Sequence, residues 1–264
     1  MIQIRVMPMA TAAWLMLATA ASAQQAPAQP FEPVVGQPGK DVVWVPTPPE
    51  TVEKMLDIAR VTPADFVIDL GSGDGRNVIA AARRGARALG VEFNPEMVEL
   101  SKRLAAEAGV GDTAQFVQGD MFQADISKAN VMALFLLPSN MFQLRSKFFN
   151  LAPGSRIVSN TFGMEGWEPD YTETRPDCQA WCSILLWIVP AKVAGTWTTP
   201  QGELVLTQDF QNVAGTLGSA AITEGKLRGE EITFVADGRT YTGRVRGDVM
   251  DGTVSGGGTW SARR

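Results

Sequence analysis

Two hydrophobic patterns divide the chain. From about residue 43 to residue 190, short apolar runs typical of buried strands alternate with stretches in which apolar residues recur at helical spacing. Beyond residue 194, apolar and polar residues alternate over short spans that are separated by Gly or Asp-Gly turns. This change of period predicts an α/β domain at residues 43–190 and a small all-β domain at residues 191–264.

The first domain is predicted to be a doubly wound sheet, because strands that alternate with helices pair in parallel through right-handed crossovers. Two helix starts carry specific signals. The run from Thr47 to Glu50 has the spacing of a capping box, and Asn94 stands before Pro95 as a helix cap. The predicted strands are 66–70, 86–91, 115–117, 131–137 and 156–161.

The second domain is predicted to contain about seven short antiparallel strands. Gly195-Thr-Trp197 near its start recurs as Gly258-Thr-Trp260 near its end. We therefore expect the first and last strands to lie side by side and to close a small barrel or sandwich, which hides strand edges. The domain is either a cover for the first domain or a docking module for substrate, and no motif favours the second role.

The first 23 residues resemble a secretory signal. Arg5 is their only charged residue, residues 6–20 are almost wholly apolar, and Ala21-Ser22-Ala23 is a small-residue cleavage site. The alternative is an uncleaved membrane anchor. We expect a cleaved signal and a periplasmic or secreted protein, in which residues 24–42 form a flexible, proline-containing linker.

Composition excludes several kinds of chemistry. Lys and Arg number 23 against 28 Asp and Glu, for a net charge of −5, so the chain has no electrostatic reason to bind nucleic acid. It has no histidine, which removes the usual zinc ligand and the usual proton carrier near neutral pH, and we predict no metal site. Its two cysteines, Cys178 and Cys182, are either a short-loop disulfide or two buried thiols.

A glycine-rich turn follows the first predicted strand. The run Asp69-Leu-Gly71-Ser-Gly73-Asp-Gly75 has the spacing G-x-G-x-G, whereas a dinucleotide site has G-x-G-x-x-G. Asp69 and Asp74 bracket the turn, and their negative charge suits a ligand with a cationic ammonium or sulfonium group. Asp74 has the alternative role of capping the next helix.

Two more carboxylates follow the next two strands. Glu92, about 20 residues beyond the glycines, is placed to accept hydrogen bonds from ribose hydroxyls, and Asp120 is placed to accept one from an adenine amino group. Ligands of open α/β sheets bind at the carboxyl ends of the strands. The sequence therefore predicts a nucleoside site there.

At these residues the chain resembles a class I S-adenosylmethionine-dependent methyltransferase with a Rossmann-like sheet. Residues 44–169 carry DLGSGDGRNVIAAA, GVEFNP, QGDMF and NVMALFLLPSN, and are similar to the protein-lysine methyltransferases of mitochondria and archaea that modify the ATP synthase c-subunit and the adenine nucleotide translocase. The resemblance implies S-adenosylmethionine as cofactor and a protein substrate, which includes the case of a membrane protein. A small-molecule acceptor is the alternative.

The residues and the resemblance together predict the site. Leu137, Pro138 and Ser139 are expected on the methyl-transfer side, although Ser139 has the alternative role of helix cap. Trp167 and Phe135 are expected to wall a channel for the alkyl stem of the acceptor, and packing in the core is the alternative for Trp167. The predicted cofactor-binding residues are Pro46, Thr47, Asp69, Gly71, Ser72, Gly73, Asp74, Glu92, Phe93, Asn94, Asp120, Met121 and Leu137, and the predicted catalytic residues are Pro138, Ser139 and Trp167.

Methyl transfer from a sulfonium is an in-line displacement, so the protein must chiefly align its reactants. A general base is optional, and without histidine it would be a carboxylate or one of the two tyrosines, Tyr171 and Tyr241. Two other functions are weighed against the enzyme. One is a catalytically silent module that keeps the fold, and the other is a nicotinamide oxidoreductase, which the glycine spacing disfavours.

Overall fold

The structure, a computed structural model, describes residues 1–3, 31–176 and 178–264. The chain divides into two units, Met1–Pro30 and Phe31–Arg264, and every element below belongs to the second. The predicted signal segment, beyond its first three residues, and the start of the predicted linker lie outside the described residues. Within the described part of the chain, no helix has both the length and the apolar character needed to span a bilayer.

The first half of the second unit is a seven-stranded sheet with the order β3-β2-β1-β4-β5-β7-β6. Neighbours among β1 to β5 pair in parallel, so the predicted doubly wound sheet is confirmed. Two further strands form an antiparallel hairpin at one edge. The strands are β1 (Phe66–Leu70), β2 (Arg87–Glu92), β3 (Ala114–Gln118), β4 (Val131–Leu134), β5 (Arg156–Asn160), β6 (Tyr171–Thr174) and β7 (Ser183–Ile188).

Four helices cover the two faces of this sheet. They are α1 (Pro49–Ile58), α2 (Arg76–Arg83), α3 (Pro95–Glu107) and α4 (Pro138–Phe149). The apolar faces of α1, α2 and α3 share one core, while α4 packs into the core on the other face. Because both faces are covered, β4 is buried along its whole length, as its unbroken apolar sequence predicts.

The structure confirms one predicted helix cap and contradicts two others. The Asn94 side chain accepts a hydrogen bond from the Glu96 N–H at 2.9 Å, so this predicted cap is confirmed. The capping box at Thr47 is wrong, because Pro48 is the cap residue and no side chain caps α1. Ser139 is not a cap either, since α4 begins at Pro138 and its cap residue is Leu137.

The remaining residues form a closed antiparallel barrel of eight strands. Its first and last strands pair at Thr198 and Arg263, which confirms the closure expected from the two Gly-Thr-Trp repeats. Trp197 and Trp260 both lie in its interior. The strands are β8 (Gly195–Thr199), β9 (Gly202–Asp209), β10 (Asn212–Leu217), β11 (Ala220–Arg228), β12 (Glu231–Ala236), β13 (Arg239–Arg246), β14 (Val249–Val254) and β15 (Thr259–Arg263).

The turn between β9 and β10 packs against the sheet half. Phe210 stacks on Trp167 with ring centroids 4.8 Å apart and meets the ring of Phe149 edge-on at 5.2 Å. Beside it, the Gln211 side chain donates a hydrogen bond to the carbonyl of Glu168 at 2.8 Å. The barrel therefore covers part of the core of the sheet half.

Candidate active site

The turn after β1 has a conformation that requires glycine. Gly71, Gly73 and Gly75 have φ angles of 68°, 55° and 80°, in the left-handed region. A Cβ on Gly73 would also lie 2.7 Å from Nε1 of Trp44. Gly71 is exposed whereas Gly73 and Gly75 are buried, so a ligand can approach the bare backbone at Gly71, at the carboxyl end of β1.

Glu92 ties the end of β2 to this turn. One carboxylate oxygen accepts the Gly73 N–H at 2.9 Å, and the other accepts the Asn94 N–H at 2.9 Å. The side chain is half-buried and borders the cavity described below. Each oxygen keeps a second lone pair, so Glu92 can still accept hydrogen bonds from a ligand.

Asp120 stands in the loop after β3 and also borders the cavity. One of its oxygens accepts the Phe122 N–H at 2.8 Å, and the other accepts Nζ of Lys40 at 2.6 Å. The bond from Lys40 is the main reason that the pKa of Asp120 is lowered, and the same bond raises the pKa of Lys40. Nζ of Lys40 also lies 4.9 Å from the centroid of the Phe93 ring, so Lys40 contacts two residues that line the cavity.

These groups surround one cavity of about 290 Å³. The segment 37–45, most of which was predicted to belong to a flexible linker, forms one wall. Only Trp44 and Val45 of this segment fall within the resemblance, and none of its residues was predicted to bind the cofactor. Of the predicted cofactor-binding residues, those that line the cavity are Gly71, Glu92, Phe93, Asn94, Asp120, Met121 and Leu137.

The other end of the cavity is aromatic. Phe135 stacks against Phe162 with centroids 5.9 Å apart, and Trp181 meets Phe135 edge-on, also at 5.9 Å. Phe135 was expected here, whereas Phe162 and Trp181 were missed. Cys178 and Cys182 form a disulfide with Cα atoms 5.4 Å apart, which decides between the two alternatives for this pair.

Trp167 does not belong to this site. It is only 1% exposed and packs between Phe149 and Phe210, so the prediction that it walls an acceptor channel is wrong. The sequence placed it in a loop, where a large aromatic residue is often exposed. It is covered by Phe210, which lies more than forty residues further along the chain.

Asp74 and its neighbours also lie away from the cavity. The Asp74 carboxylate pairs with the guanidinium of Arg76 at 2.5 Å, and Arg76 donates another bond to the carbonyl of Thr47 at 2.6 Å. Thr47 is buried, and neither it nor Pro46 lines the cavity. The negative charge of Asp74 is therefore taken up by a partner two residues away.

Pro138 and Ser139 are exposed at the start of α4, just beyond the cavity wall at Leu137. Asp69 and Ser72 are buried at the glycine turn and do not line the cavity. Burial raises the pKa of Asp69 well above its usual value, although a 3.1 Å hydrogen bond from Asn77 opposes the shift. Gly73 contributes through its N–H to Glu92.

The residues at this cavity fit S-adenosylmethionine. The glycine turn places the exposed Gly71 in the cavity wall, Glu92 offers acceptors for two ribose hydroxyls, and Asp120 offers one for the adenine amine. Within the described residues, no group of three or more acidic or cysteine side chains is placed to hold a metal ion. The strand order and this site define a class I S-adenosylmethionine-dependent methyltransferase.

Comparison with known proteins agrees. The family model of the ANTKMT methyltransferase domain matches residues 69–171. A protein-lysine N-methyltransferase of Saccharolobus islandicus is 42% identical over 131 residues, which are 48% of this chain and 81% of that protein. The mouse lysine N-methyltransferase of the ATP synthase c-subunit is 31% identical over 185 residues, which are 70% and 72% of the two chains.

The crystal structure of an RNA methyltransferase from Salinibacter ruber, in complex with S-adenosyl-L-homocysteine, is also similar. It shares 44% sequence identity at a TM-score of 0.53, over 56% of this chain and 96% of that one. This chain belongs to the methyltransferase family that the ANTKMT domain model describes. It is an S-adenosylmethionine-dependent enzyme.

Proposed function

We propose that this methyltransferase transfers the methyl group to the side-chain amine of a lysine in a protein. The observation that carries the proposal is the acceptor end of the cavity, where Phe135, Phe162 and Trp181 form an apolar wall against which an alkyl stem can pack. The names of the S. islandicus and mouse relatives support the same acceptor. A membrane protein falls within this class of substrate.

The acceptor must present a neutral amine. At pH 7 a lysine lies about 3.4 pH units below its usual pKa, so removing the proton costs about 4.6 kcal/mol. An apolar wall lowers the pKa of a buried amine by desolvation, which reduces this cost. When bound, S-adenosylmethionine supplies a methyl group on a positively charged sulfur, and the chain has to align the amine with it.

Neither tyrosine is placed to act as a base at this cavity. Tyr171 lies on the edge strand β6, where its hydroxyl donates to Glu173 at 2.8 Å and this bond raises its pKa. Tyr241 stacks on Phe234 inside the barrel. The proposal therefore assigns loss of the amine proton to desolvation and to release into solvent.

An RNA acceptor is disfavoured by charge. The charged residues that border the cavity are Lys40, Asp41, Glu92 and Asp120, so carboxylates outnumber the single amine. The whole chain carries a net charge of −5. A chain of net negative charge does not attract phosphates overall, and their neutralisation supplies a large share of the affinity for nucleic acid.

We also propose that the protein acts outside the cytoplasm. The bond between Cys178 and Cys182 supports this location, because disulfides persist in oxidising compartments and are rare in the cytosol. The signal-like residues 1–23 point the same way. N-terminal sequencing of the protein recovered from a periplasmic fraction tests this, and an intact Met1 on a cytoplasmic protein would contradict it.

The acceptor is tested with S-adenosylmethionine labelled in its methyl group and a cell-envelope extract. We expect label in protein, sensitive to protease and resistant to ribonuclease, and mass spectrometry should place it on lysine. Label in RNA or in low-mass compounds would overturn the lysine proposal. Calorimetric titration with S-adenosylhomocysteine separates a third case, because a catalytically silent module binds this product yet transfers nothing.

A further inference from the structure

Trp181 is an unusual residue at the acceptor end of the cavity. It lies in the loop between β6 and β7, and it is 41% exposed although its ring borders the cavity. Its φ of 55° is in the left-handed region, which a bulky side chain rarely adopts. Such a backbone conformation persists only where the surroundings impose it, and it is common at functional sites.

A disulfide and two hydrogen bonds constrain the loop that carries Trp181. The bond between Cys178 and Cys182 closes the tip of the loop directly beside this residue. At the base of the loop, the Arg175 N–H donates to the carbonyl of Cys182 at 2.9 Å. The Arg175 guanidinium also donates to the hydroxyl of Thr51 in α1 at 2.6 Å, which fixes the loop to the sheet half.

Three aromatic rings from three separate segments meet here. Phe135 follows β4, Phe162 follows β5, and Trp181 comes from the β6–β7 loop. Thr161, which precedes Phe162, is also left-handed, with a φ of 63°. Aromatic faces attract methylated ammonium groups. The cavity carboxylates Glu92 and Asp120 follow β2 and β3, and β1 lies between these strands and the β4 and β5 strands that precede the aromatic residues.

We propose that Trp181 contacts the methylated ammonium group that the acceptor carries once its neutral amine has taken up the methyl group, and that the Cys178–Cys182 disulfide positions Trp181. This inference rests on the proposed lysine acceptor and names the residue that selects it. Trp181 is then a specificity-determining residue, and the two cysteines are positioning residues that act through it. Cofactor binding depends on the opposite end of the cavity, so it should be insensitive to both.

The test measures binding of n-butyltrimethylammonium chloride, a stable mimic of a methylated lysine side chain, to the full chain saturated with S-adenosylhomocysteine. Calorimetry at constant ionic strength compares the wild type with Trp181→Phe, which keeps an aromatic face, and Trp181→Leu, which keeps only apolar area. We expect Trp181→Leu to weaken probe binding about fivefold to tenfold and Trp181→Phe to weaken it much less. Affinity for S-adenosylhomocysteine, measured without the probe, should stay within about twofold in both variants.

The disulfide is tested first on the wild-type chain, by reduction. Dithiothreitol supplies two electrons and two protons, converts the bond to two thiols, and is itself oxidised to its cyclic disulfide. Because the chain has only two cysteines, this bond is the sole target. We expect reduction to weaken probe binding as Trp181→Leu does, and the matched control Cys178→Ser/Cys182→Ser should show the same loss before reductant and no further change after it.

Equal probe binding by the oxidised and reduced chains would overturn the role of the disulfide. No binding of the probe by the oxidised wild type, or equal binding by Trp181→Leu, would overturn the role of Trp181. These outcomes are independent of the labelling experiment above. Methyl label on RNA, together with intact probe binding, would overturn only the proposed function. Methyl label on lysine, together with unchanged probe binding by Trp181→Leu, would overturn only this inference.

Discussion

Glu92 accepts two backbone hydrogen bonds and still faces the cavity, so replacing it by glutamine tests the cofactor site. Both N–H groups, from Gly73 and Asn94, lie 2.9 Å from different oxygens of the carboxylate. The glutamine amide has the same shape but only one oxygen. One N–H must therefore face an NH₂ group and lose its acceptor, which costs about 1–3 kcal/mol of stability.

The same change weakens the cofactor site. A hydrogen bond to a charged acceptor contributes about 1.5–3 kcal/mol, and a neutral one about 0.5–1.5 kcal/mol. We therefore expect Glu92→Gln to lose about 1–1.5 kcal/mol of binding to S-adenosylhomocysteine, close to tenfold in affinity. Isothermal titration calorimetry measures this loss, and denaturant unfolding without ligand measures the loss of stability.

The matched control is Glu96→Gln. Glu96 is exposed in the first turn of α3, only four residues away, and the change removes the same charge without touching the cavity. If both variants bind S-adenosylhomocysteine as tightly as the wild type does, Glu92 does not accept hydrogen bonds from the cofactor. A loss of binding in both would show a general effect of charge instead.

Three more predictions concern the same cavity. Gly73→Ala should cost about 1–2 kcal/mol of stability through its left-handed backbone, and its Cβ should displace Trp44 and weaken S-adenosylhomocysteine binding, as thermal unfolding and calorimetry will show; wild-type behaviour in both would refute this. Lys40→Met should strengthen S-adenosylhomocysteine binding roughly twofold to fivefold, because the adenine amine no longer competes with Lys40 for Asp120, and weaker binding would mean that Lys40 holds the cofactor. Because burial raises the pKa of Asp69 in the fold, wild-type stability is lost as pH rises above about 4, the pKa of the carboxyl in the unfolded chain. The free energy of unfolding of Asp69→Asn relative to wild type should therefore grow as pH rises above about 4, and a flat difference in denaturant titrations contradicts this.

Local signals predicted most of the sheet half. The apolar run at β1 and the Asn94-Pro95 start of α3 are decided by neighbouring residues, and their predicted bounds agree with the structure. The capping box at Thr47 has an equally local signal, yet there the carbonyl of Thr47 is used by Arg76 and the helix begins one residue later than the box requires. Local patterns fail where a distant partner competes.

The barrel shows a second limit. Its closure was predictable from the repeated Gly-Thr-Trp, but the barrel has eight strands where about seven were predicted, and β11 carries only a weak strand signal. Glu224 has a φ of 54°, and the register of β11 with β12 shifts between Thr223 and Lys226. Such a bulge interrupts the alternation of apolar and polar residues by which strands are recognised.

The cavity itself was half predictable. Glu92 and Asp120 follow successive parallel strands, so topology alone brings them to one edge. Phe162 and Trp181 reach the same cavity from segments whose path depends on the antiparallel β6–β7 hairpin, which no period in the sequence indicated. The residues that face the cofactor could therefore be predicted from strand order, whereas those that face the acceptor depend on tertiary structure.

The contact between Phe210 and Trp167 limits how this enzyme can be shortened to its catalytic half. A fragment that stops before the barrel would leave the flat face of a tryptophan indole, and the Phe149 ring beside it, open to water. Such a fragment should be poorly soluble even with every cofactor contact present.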